Sequence, residues 1–381
     1  MNFSWTAEQQ QLRQAITDFA QTELNSDISE HDKEQTFNFA GWAKCGQFGI
    51  QGLPIPAEYG GRGIDPLTTM YALEGLGYGC RDNGLNFSLG AHLLGNMLPI
   101  LAFGSESQKQ NYLPKLCSGE WIGALALSEP EAGSDAYSLK TTARKHGEGY
   151  RLNGEKIYIT NGPIADVFVV LATVDRSIGG FGLTAFLVER DTPGLSLSPL
   201  VDKMGLRTVP MGTMAFENCE VPASNLIGQQ GSGLALFNHA MEWERGFILA
   251  CAVGAMQRQL ETCVQYAQQR HQFGQAISKF QMVSSKIVEM RMRLETSRML
   301  LYKVGWLKQE GKSTIMESAM AKLHISEAWI QSCQDAIQIH GGCGYLTEFE
   351  LERELRDALG SRIYSGTSEI QRLVIGEFMG L

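Results

Sequence analysis

The sequence predicts an α+β protein in which a β domain separates two helical ones, and three observations predict it. Apolar residues recur at helical spacing up to about residue 120. Alternating, β-branched runs bounded by Gly, Asp and Pro then take over. Helical spacing returns near residue 229, in stretches long enough for bundle helices. The predicted domains are an N-terminal all-α domain (1–120), a middle β-barrel-like domain (121–228) and a C-terminal four-helix bundle (229–381).

The N-terminal domain opens on Thr6-Ala7-Glu8-Gln9, a capping box, followed by an apolar face of Leu12, Ile16, Phe19, Ala20 and Leu24. Residues 49–63 hold too much Gly and Pro for a helix and read as a loop. Helical spacing resumes at Leu67, Met70, Leu73 and Leu76. Residues 85–101, rich in small and apolar side chains, read as a helix buried on most sides, and residues 108–116 as a short one. In the β domain, alternation around an Asn-Gly within residues 147–162 is a hairpin signal. Residues 167–174 and 183–189 read as strands, and 195–221 as short strand pieces too evenly spaced for βαβ units. Residues 234–269 read as one long helix. Residues 281–310 follow, with Ile287, Met290, Leu294 and Leu301 as a buried stripe, then 313–340 and 363–378.

Composition narrows the function classes. The chain has 381 residues, 44% hydrophobic and 19% charged, ordinary for a globular protein with a large core. A net charge of −9 argues against nucleic acid as a partner. No apolar run is expected to span a membrane. The start MNFSWTAEQQQLRQ has neither a basic region nor an apolar core, so no signal peptide and a cytoplasmic location are expected. Eight cysteines lie scattered without CxxC pairs or metal-ligand spacing, which predicts buried free thiols and no metal. No Gly-x-Gly-x-x-Gly follows a strand, and no Walker, HExxH or Gly-x-Ser-x-Gly pattern occurs.

The stretch 238–255, NHAMEWERGFILACAVGA, holds a carboxylate out of place. Phe237, Ala240, Met241, Ile248, Cys251, Ala252 and Ala255 form one helix face, and Glu244 falls on it. A carboxylate there is costly to ionise, so its pKa should rise. Arg245 points about a quarter-turn away, and Glu242 reads as an ordinary polar-face glutamate. Taken alone, Glu244 is either a catalytic base or a glutamate that reaches water or pairs with an arginine of another helix.

A set of motifs in fixed order decides between these. Leu125-Ala126-Leu127-Ser128-Glu129-Pro130-Glu131-Ala132-Gly133-Ser134-Asp135 opens the β domain, and Lys156-Ile157-Tyr158-Ile159-Thr160-Asn161-Gly162 follows. Arg270-His271-Gln272-Phe273-Gly274 closes the long helix, with Phe280 and Gln281 just beyond. Gln338-Ile339-His340-Gly341-Gly342-Cys343-Gly344-Tyr345 ends the third helix. Arg356-Asp357 and Ile363-Tyr364-Ser365-Gly366-Thr367-Ser368-Glu369-Ile370-Gln371-Arg372 finish the chain. Each is weak alone. Together, on this α–β–α layout, they resemble the acyl-CoA dehydrogenase superfamily over essentially the whole chain.

The resemblance implies FAD between the β domain and the C-terminal bundle, with a neighbouring subunit of a homotetramer completing the site. It implies that Leu125, Ala126, Leu127, Ser128, Gly133 and Ser134 line the flavin or the acyl group. Tyr158 is then the aromatic flanking the isoalloxazine, with Ile159 beside it and Thr160 near flavin N5. Arg270 reaches an FAD pyrophosphate across the dimer interface, in the company of Phe273, Phe280 and Gln281. Gln338, Ile339, Gly341 and Gly342 approach the cofactor by backbone, and Thr367 and Glu369 contact its other end. Ser134, Arg245, Tyr364, Ser365 and Gly366 are the implied substrate contacts.

The sequence departs from the family at one point. Many members carry the catalytic base as the glutamate of Ile-Tyr-Glu-Gly-Thr, and here that position is Ser365. Either the chain is a non-catalytic scaffold or the base has moved. Isovaleryl-CoA and long-chain acyl-CoA dehydrogenases place it on the long helix before an arginine, and Glu244-Arg245 matches that pair. The expected chemistry is α-proton abstraction by Glu244, with the Ser365 N–H as an oxyanion donor and hydride transfer to flavin N5.

The wording Met241-Glu242-Trp243-Glu244-Arg245-Gly246 is similar to dehydrogenases and oxidases of prolyl carrier proteins in natural-product assembly, anatoxin biosynthesis included. That likeness implies L-proline on a phosphopantetheinyl carrier protein as substrate. A short branched-chain acyl-CoA of isovaleryl type is the alternative. Either O2 or an electron-transfer flavoprotein would accept the electrons. Docking of an acidic carrier would need a basic patch, for which Arg291, Arg293, Arg298, Lys303 and Lys308 are candidates.

Overall fold

A computed structural model describes residues 4–381. Met1 to Phe3, where the N-terminal reading begins, lie outside the described residues. Among the described residues, seven α-helices precede the sheet. They are α1 (Ala7–Glu23), α2 (Ile28–Glu34), α3 (Phe39–Phe48), α4 (Pro66–Gly79), α5 (Asn83–Gly90), α6 (Leu98–Phe103) and α7 (Glu106–Cys117). The Thr6–Gln9 capping box forms at the start of α1, with both reciprocal hydrogen bonds present. Residues 49–63 are loop and turns around one short 3-10 segment, Ala57–Tyr59.

Helices α5 and α6 run together through a π-helical segment, Ala91–Met97, so that Asn83–Phe103 is one helical rod. That rod is long and apolar enough to cross a membrane, contrary to the expectation that no run qualifies. Most of it is buried inside the fold, where it carries polar contacts to the sheet.

The sheet contains β1 (Gly123–Ala126), β2 (Thr142–His146), β3 (Gly149–Thr160), β4 (Val167–Thr173), β5 (Leu183–Glu189), β6 (Leu195–Leu197), β7 (Met211–Val221) and β8 (Leu226–Ile227). The order is β6-β7-β3-β2-β4-β5-β8, with β1 also on β4. β1 and β2 share one edge of β4, both parallel to it: β1 from Gly123↔Val167 to Ala126↔Val170, β2 at Thr142↔Thr173. The other pairs are antiparallel.

The Asn-Gly hairpin expectation is not met. β3 runs straight through Asn153-Gly154, and the hairpin turn lies instead between His146 and Gly149. Gly154 sits at a β-bulge with φ +148°, where a Cβ would lie 2.5 Å from Thr141 Oγ1. Its glycine serves a close approach, not a turn.

Polar contacts tie the helical rod to the sheet. Asn96 Nδ2 donates to Ala124 O (2.9 Å), and Ser88 Oγ to Asn161 Oδ1 (2.7 Å). The Gly123 N–H donates to His92 Nδ1 (2.9 Å), which leaves His92 Nε2–H to donate to Leu116 O (3.1 Å). Burial lowers the His92 pKa to about 4, so the ring is neutral, as that pairing requires.

The C-terminal region holds α8 (Gly233–Phe247), α9 (Ala250–Gln269), a two-stranded ribbon β9 (His271–Gln272) and β10 (Gln275–Ala276), α10 (Gln281–Gln309), α11 (Ile315–His340), α12 (Leu351–Gly360) and α13 (Ser368–Phe378). Two readings are corrected here. The single helix expected over 234–269 breaks at Ile248-Leu249 into α8 and α9. α12 is an additional helix, so six helices stand where four were expected. Met290, Leu294 and Leu301 form the buried stripe of α10, with Ile287 half-buried beside it. α4 and α9 touch backbone to backbone. A Cβ at Gly77 would sit 1.9 Å from Cys251 O, and one at Gly254 2.0 Å from Glu74 O. One buried apolar cluster continues through the helices and the sheet. All eight cysteines are unbridged.

Candidate active site

Helix α8 presents Glu244 from an apolar surround. Ala240 is fully buried, and Met241 and Ile248 keep only 6% and 7% of their surface. The break after Phe247 turns the chain at this point, and the Ile248 N–H still donates to Glu244 O (2.9 Å). Glu244 is half-buried, yet desolvation by the packed surround raises its pKa. Three groups oppose that rise: the Ser365 hydroxyl first, then the charges of Arg245 and Lys322.

The partner of Glu244 comes from the turn between α12 and α13. Ser365 Oγ–H donates to Glu244 Oε1 at 2.6 Å. Ser365 and Gly366 both have positive φ, +54° and +88°, a sharp reversal that a non-glycine residue adopts at some cost. Their carbonyls are held from three sides. Arg245 Nε donates to Ser365 O (3.4 Å), Gln371 Nε2 to Ser365 O and Gly366 O (3.1 and 2.8 Å), and Lys322 Nζ to Gly366 O (2.6 Å). Among the described residues, no protein acceptor takes the Ser365 or Gly366 N–H. The turn therefore offers free amide donors next to a carboxylate. Tyr364 packs its ring on Phe87 (centroids 4.4 Å apart), and Thr367 caps α13 by accepting from the Ile370 N–H (3.3 Å).

Arg245, expected to point a quarter-turn away, reaches the same turn as Glu244 because the turn wraps around α8. Tyr137, which the sequence reading missed, also belongs here. Its hydroxyl donates to Asn238 Oδ1 (3.3 Å), its ring meets Phe237 edge-on, and it is close enough to Arg245 to interact with its charge. Glu242 is not an ordinary surface glutamate. It pairs with Lys308 (2.9 Å) and accepts from Thr314 N–H and Oγ at the start of α11, bonds that lower its pKa despite burial.

The other predicted residues fall into two groups. The first lies near the turn and on the sheet. Lys156 is fully buried and donates to Glu129 Oε1 (2.7 Å) and Leu127 O (2.9 Å), while Glu129 also accepts from the Thr141 N–H (3.0 Å). This anchors the loop that bears Leu127, Ser128, Gly133 and Ser134. Leu125 packs towards Gly95 of the π segment. Gly133 faces open space, and Tyr158 stands 65% exposed at φ +58°, with Thr160 half-buried two residues on. Glu369 lies exposed in the first turn of α13. Ala126 and Ile159, expected to line the cofactor, are buried and present almost no surface to a ligand in this chain.

The second group gathers at the far end of α11. Tyr266 stacks on His340 (4.1 Å), the Phe273 and Phe280 rings meet edge-on, and Gly341 and Gly342 face open space. Arg270, Phe273, Gln281 and Gln338 are exposed, Phe280 is half-buried and Ile339 is buried. Lys322 and Gln338 are separated by about 24 Å of helix, at a rise of about 1.5 Å per residue. One chain thus does not bring its two groups to a single point. Open glycine surfaces, exposed aromatic rings and an arginine without a carboxylate partner among the described residues fit a large, flat, phosphate-bearing cofactor.

The five basic residues of the suggested docking patch are all engaged. Arg291 pairs with Glu295, Arg293 with Asp335, Arg298 with Glu74 and Glu295, Lys303 with Glu317, and Lys308 with Glu242. Arg293, Arg298 and Lys308 are mostly buried in their ion pairs, whereas Arg291 and Lys303 stay exposed in surface pairs.

Three family models match the chain in order: the acyl-CoA dehydrogenase N-terminal domain over residues 6–120, the middle domain over 124–219 and the C-terminal domain over 231–380. An L-prolyl-[peptidyl-carrier protein] dehydrogenase of Pseudomonas fluorescens is 40% identical over 382 residues, covering 100% of both chains. Among solved structures, the prolyl acyl carrier protein oxidase AnaB is 57% identical with a TM-score of 0.98, covering 99% of this chain and 100% of its own. PigA, solved with FAD and proline, is 40% identical with a TM-score of 0.98, covering 100% of both.

Proposed function

Because the chain belongs to the acyl-CoA dehydrogenase family, we propose that it oxidises L-proline held as a thioester on a phosphopantetheinyl carrier protein, giving a dehydroprolyl (pyrroline-type) thioester. It is an FAD-dependent acyl-thioester dehydrogenase. The prolyl substrate is favoured by the likeness to relatives named for prolyl carrier proteins and solved with proline. Natural-product assembly of the anatoxin type is the proposed setting, and the cytoplasm the proposed compartment.

The observation that carries the mechanism is the bond of Glu244 to Ser365, beside two amide N–H groups with no protein acceptor among the described residues. Glu244 removes the α-proton of the thioester, and its raised pKa makes it a stronger base than a solvated carboxylate. The Ser365 N–H faces the charge that develops on the thioester oxygen. Arg245 and Gln371 hold the Ser365 carbonyl and so keep the turn from rotating. FAD, when bound, supplies the acceptor for the hydride that leaves the neighbouring carbon. Leu127, Ser128, Gly133, Ser134, Tyr158, Thr160, Thr367 and Glu369 would hold the cofactor of the same chain.

Arg270, Phe273, Phe280, Gln281, Gln338, Gly341 and Gly342 would serve the cofactor of a neighbouring copy in a homotetramer. Their distance along α11 supports this. So does the apolar surface of α10, where Met282, Val288 and Met292 are 84%, 59% and 56% exposed. The deciding assay offers prolyl-loaded carrier protein and isovaleryl-CoA side by side to the yellow enzyme and follows flavin bleaching. Bleaching by the prolyl carrier is expected, and bleaching by isovaleryl-CoA alone would overturn the assignment.

A further inference from the structure

Lys322 is a buried cation that the mechanism above does not use. It lies on α11 with no exposed surface, and no carboxylate forms an ion pair with it among the described residues. Its one hydrogen bond there is to Gly366 O, at 2.6 Å, and its ammonium stands 5.9 Å from the Tyr364 ring centroid. An unpaired buried ammonium is costly, and the turn it holds is itself strained. Burial lowers the Lys322 pKa to about 8, helped by the nearby Arg245 charge. Glu244 on α8, Glu327 on its own helix and Glu369 on α13 act in the opposite sense. Glu244 in turn faces Arg245 on α8, Lys322 on α11, and Ser365 and Tyr364 on the turn. Among the described residues the ammonium makes no hydrogen bond within α11. What it meets is the turn that delivers Ser365 Oγ to Glu244.

We infer that Lys322 is a positioning residue for Glu244: its ammonium fixes the Gly366 carbonyl, which sets the turn that bonds the carboxylate, and its charge favours the carboxylate anion. No bond forms or breaks at Lys322. The inference rests on Glu244 as the base, so Glu244→Gln is assayed alongside. If Glu244→Gln still turns over, the reading beneath fails. If Glu244→Gln is inactive, Lys322 is judged by its own variants.

Lys322→Met removes both the bond and the charge, and Lys322→Gln keeps a donor for Gly366 O without the charge. Flavin content reports folding for each variant. In both, the acidic limb of the kcat/KM profile is expected to move up by about 0.5 to 1 pH, as loss of a nearby positive charge requires. In Lys322→Met, kcat at neutral pH is also expected to fall by roughly tenfold, with KM for the prolyl carrier little changed. If Met does not fold, Gln alone decides by its limb. An unmoved limb in a flavin-loaded variant, even one that melts early, would overturn the inference and leave Lys322 a packing residue.

Discussion

Ser365→Ala removes one hydroxyl and leaves the backbone demand unchanged, since alanine tolerates the φ of +54° about as poorly as serine. The lost contact is the 2.6 Å bond to Glu244 Oε1. A hydrogen bond to a charged group contributes about 1.5–3 kcal/mol, and about 1.4 kcal/mol corresponds to one pKa unit. The Glu244 pKa, already raised by burial, should therefore climb further by about 1, the low end because water can occupy part of the gap. Only the deprotonated base acts, so the acidic limb of kcat/KM moves up with it. On the acidic side the rate should fall about tenfold, while well above the limb it should hold or rise slightly. The assay is stopped-flow bleaching of the flavin by prolyl-loaded carrier protein across a pH series. An unmoved limb with flavin content intact would refute the idea that this hydroxyl stabilises the anion.

Three further outcomes follow from buried charges and close contacts. Asp357 is buried, accepts from the Leu206 N–H (2.6 Å) and from Asn83 (3.1 Å), and burial raises its pKa from 3.8 to about 7. A raised acid pKa favours folding below its ordinary value and loses that benefit as pH climbs through about 7, at up to about 1.4 kcal/mol per pH unit. Urea unfolding of Asp357→Asn should accordingly lose less stability than the wild type between about pH 4 and 7; parallel profiles would contradict this. Lys156→Met leaves Glu129 buried without its cation, costing about 3–5 kcal/mol and loosening the loop of Leu127, Ser128, Gly133 and Ser134. Lower urea midpoints and easier loss of flavin on dialysis are expected, and wild-type values for both would exclude the anchor. Gly254→Ala pushes a methyl to within 2.0 Å of Glu74 O and should destabilise by about 1–3 kcal/mol, read as a lower Tm.

Short-range signals were the most legible part of this chain. The capping box at Thr6, strands β4 and β5, and the buried stripe of α10 need only neighbours a few residues away, and each forms where its spacing says. Glu244 stood out for the same reason, as one acid on an apolar helix face. Where tertiary contacts override local preference, the reading failed. Asn153-Gly154 has turn chemistry, but the approach of Thr141 makes it a strand bulge. Helical spacing continues through Ile248-Leu249, yet the chain bends there into two helices. On the basic run of α10, the pairing of Arg293 with Asp335 and of Arg298 with Glu74 joins residues distant in sequence, so local pattern does not reveal it, whereas the Glu295 partner of Arg291 and Arg298 lies on the same helix. The bonds of Ser365 to Glu244 and Lys322 to Gly366 link segments 121 and 44 residues apart, which no local pattern encodes. Family likeness pointed to residues 363–372 as part of the site, but not to which side chains face one another.

The account depends most on Glu244 as the proton acceptor, and Glu244→Gln tests that directly. The amide keeps the shape and can still accept from Ser365, so the protein should fold, bind FAD and stay yellow. Flavin bleaching by the prolyl-loaded carrier should slow by about 10²–10⁴-fold, the usual contribution of a general base. A rate within about tenfold of wild type would mean that another group takes the proton.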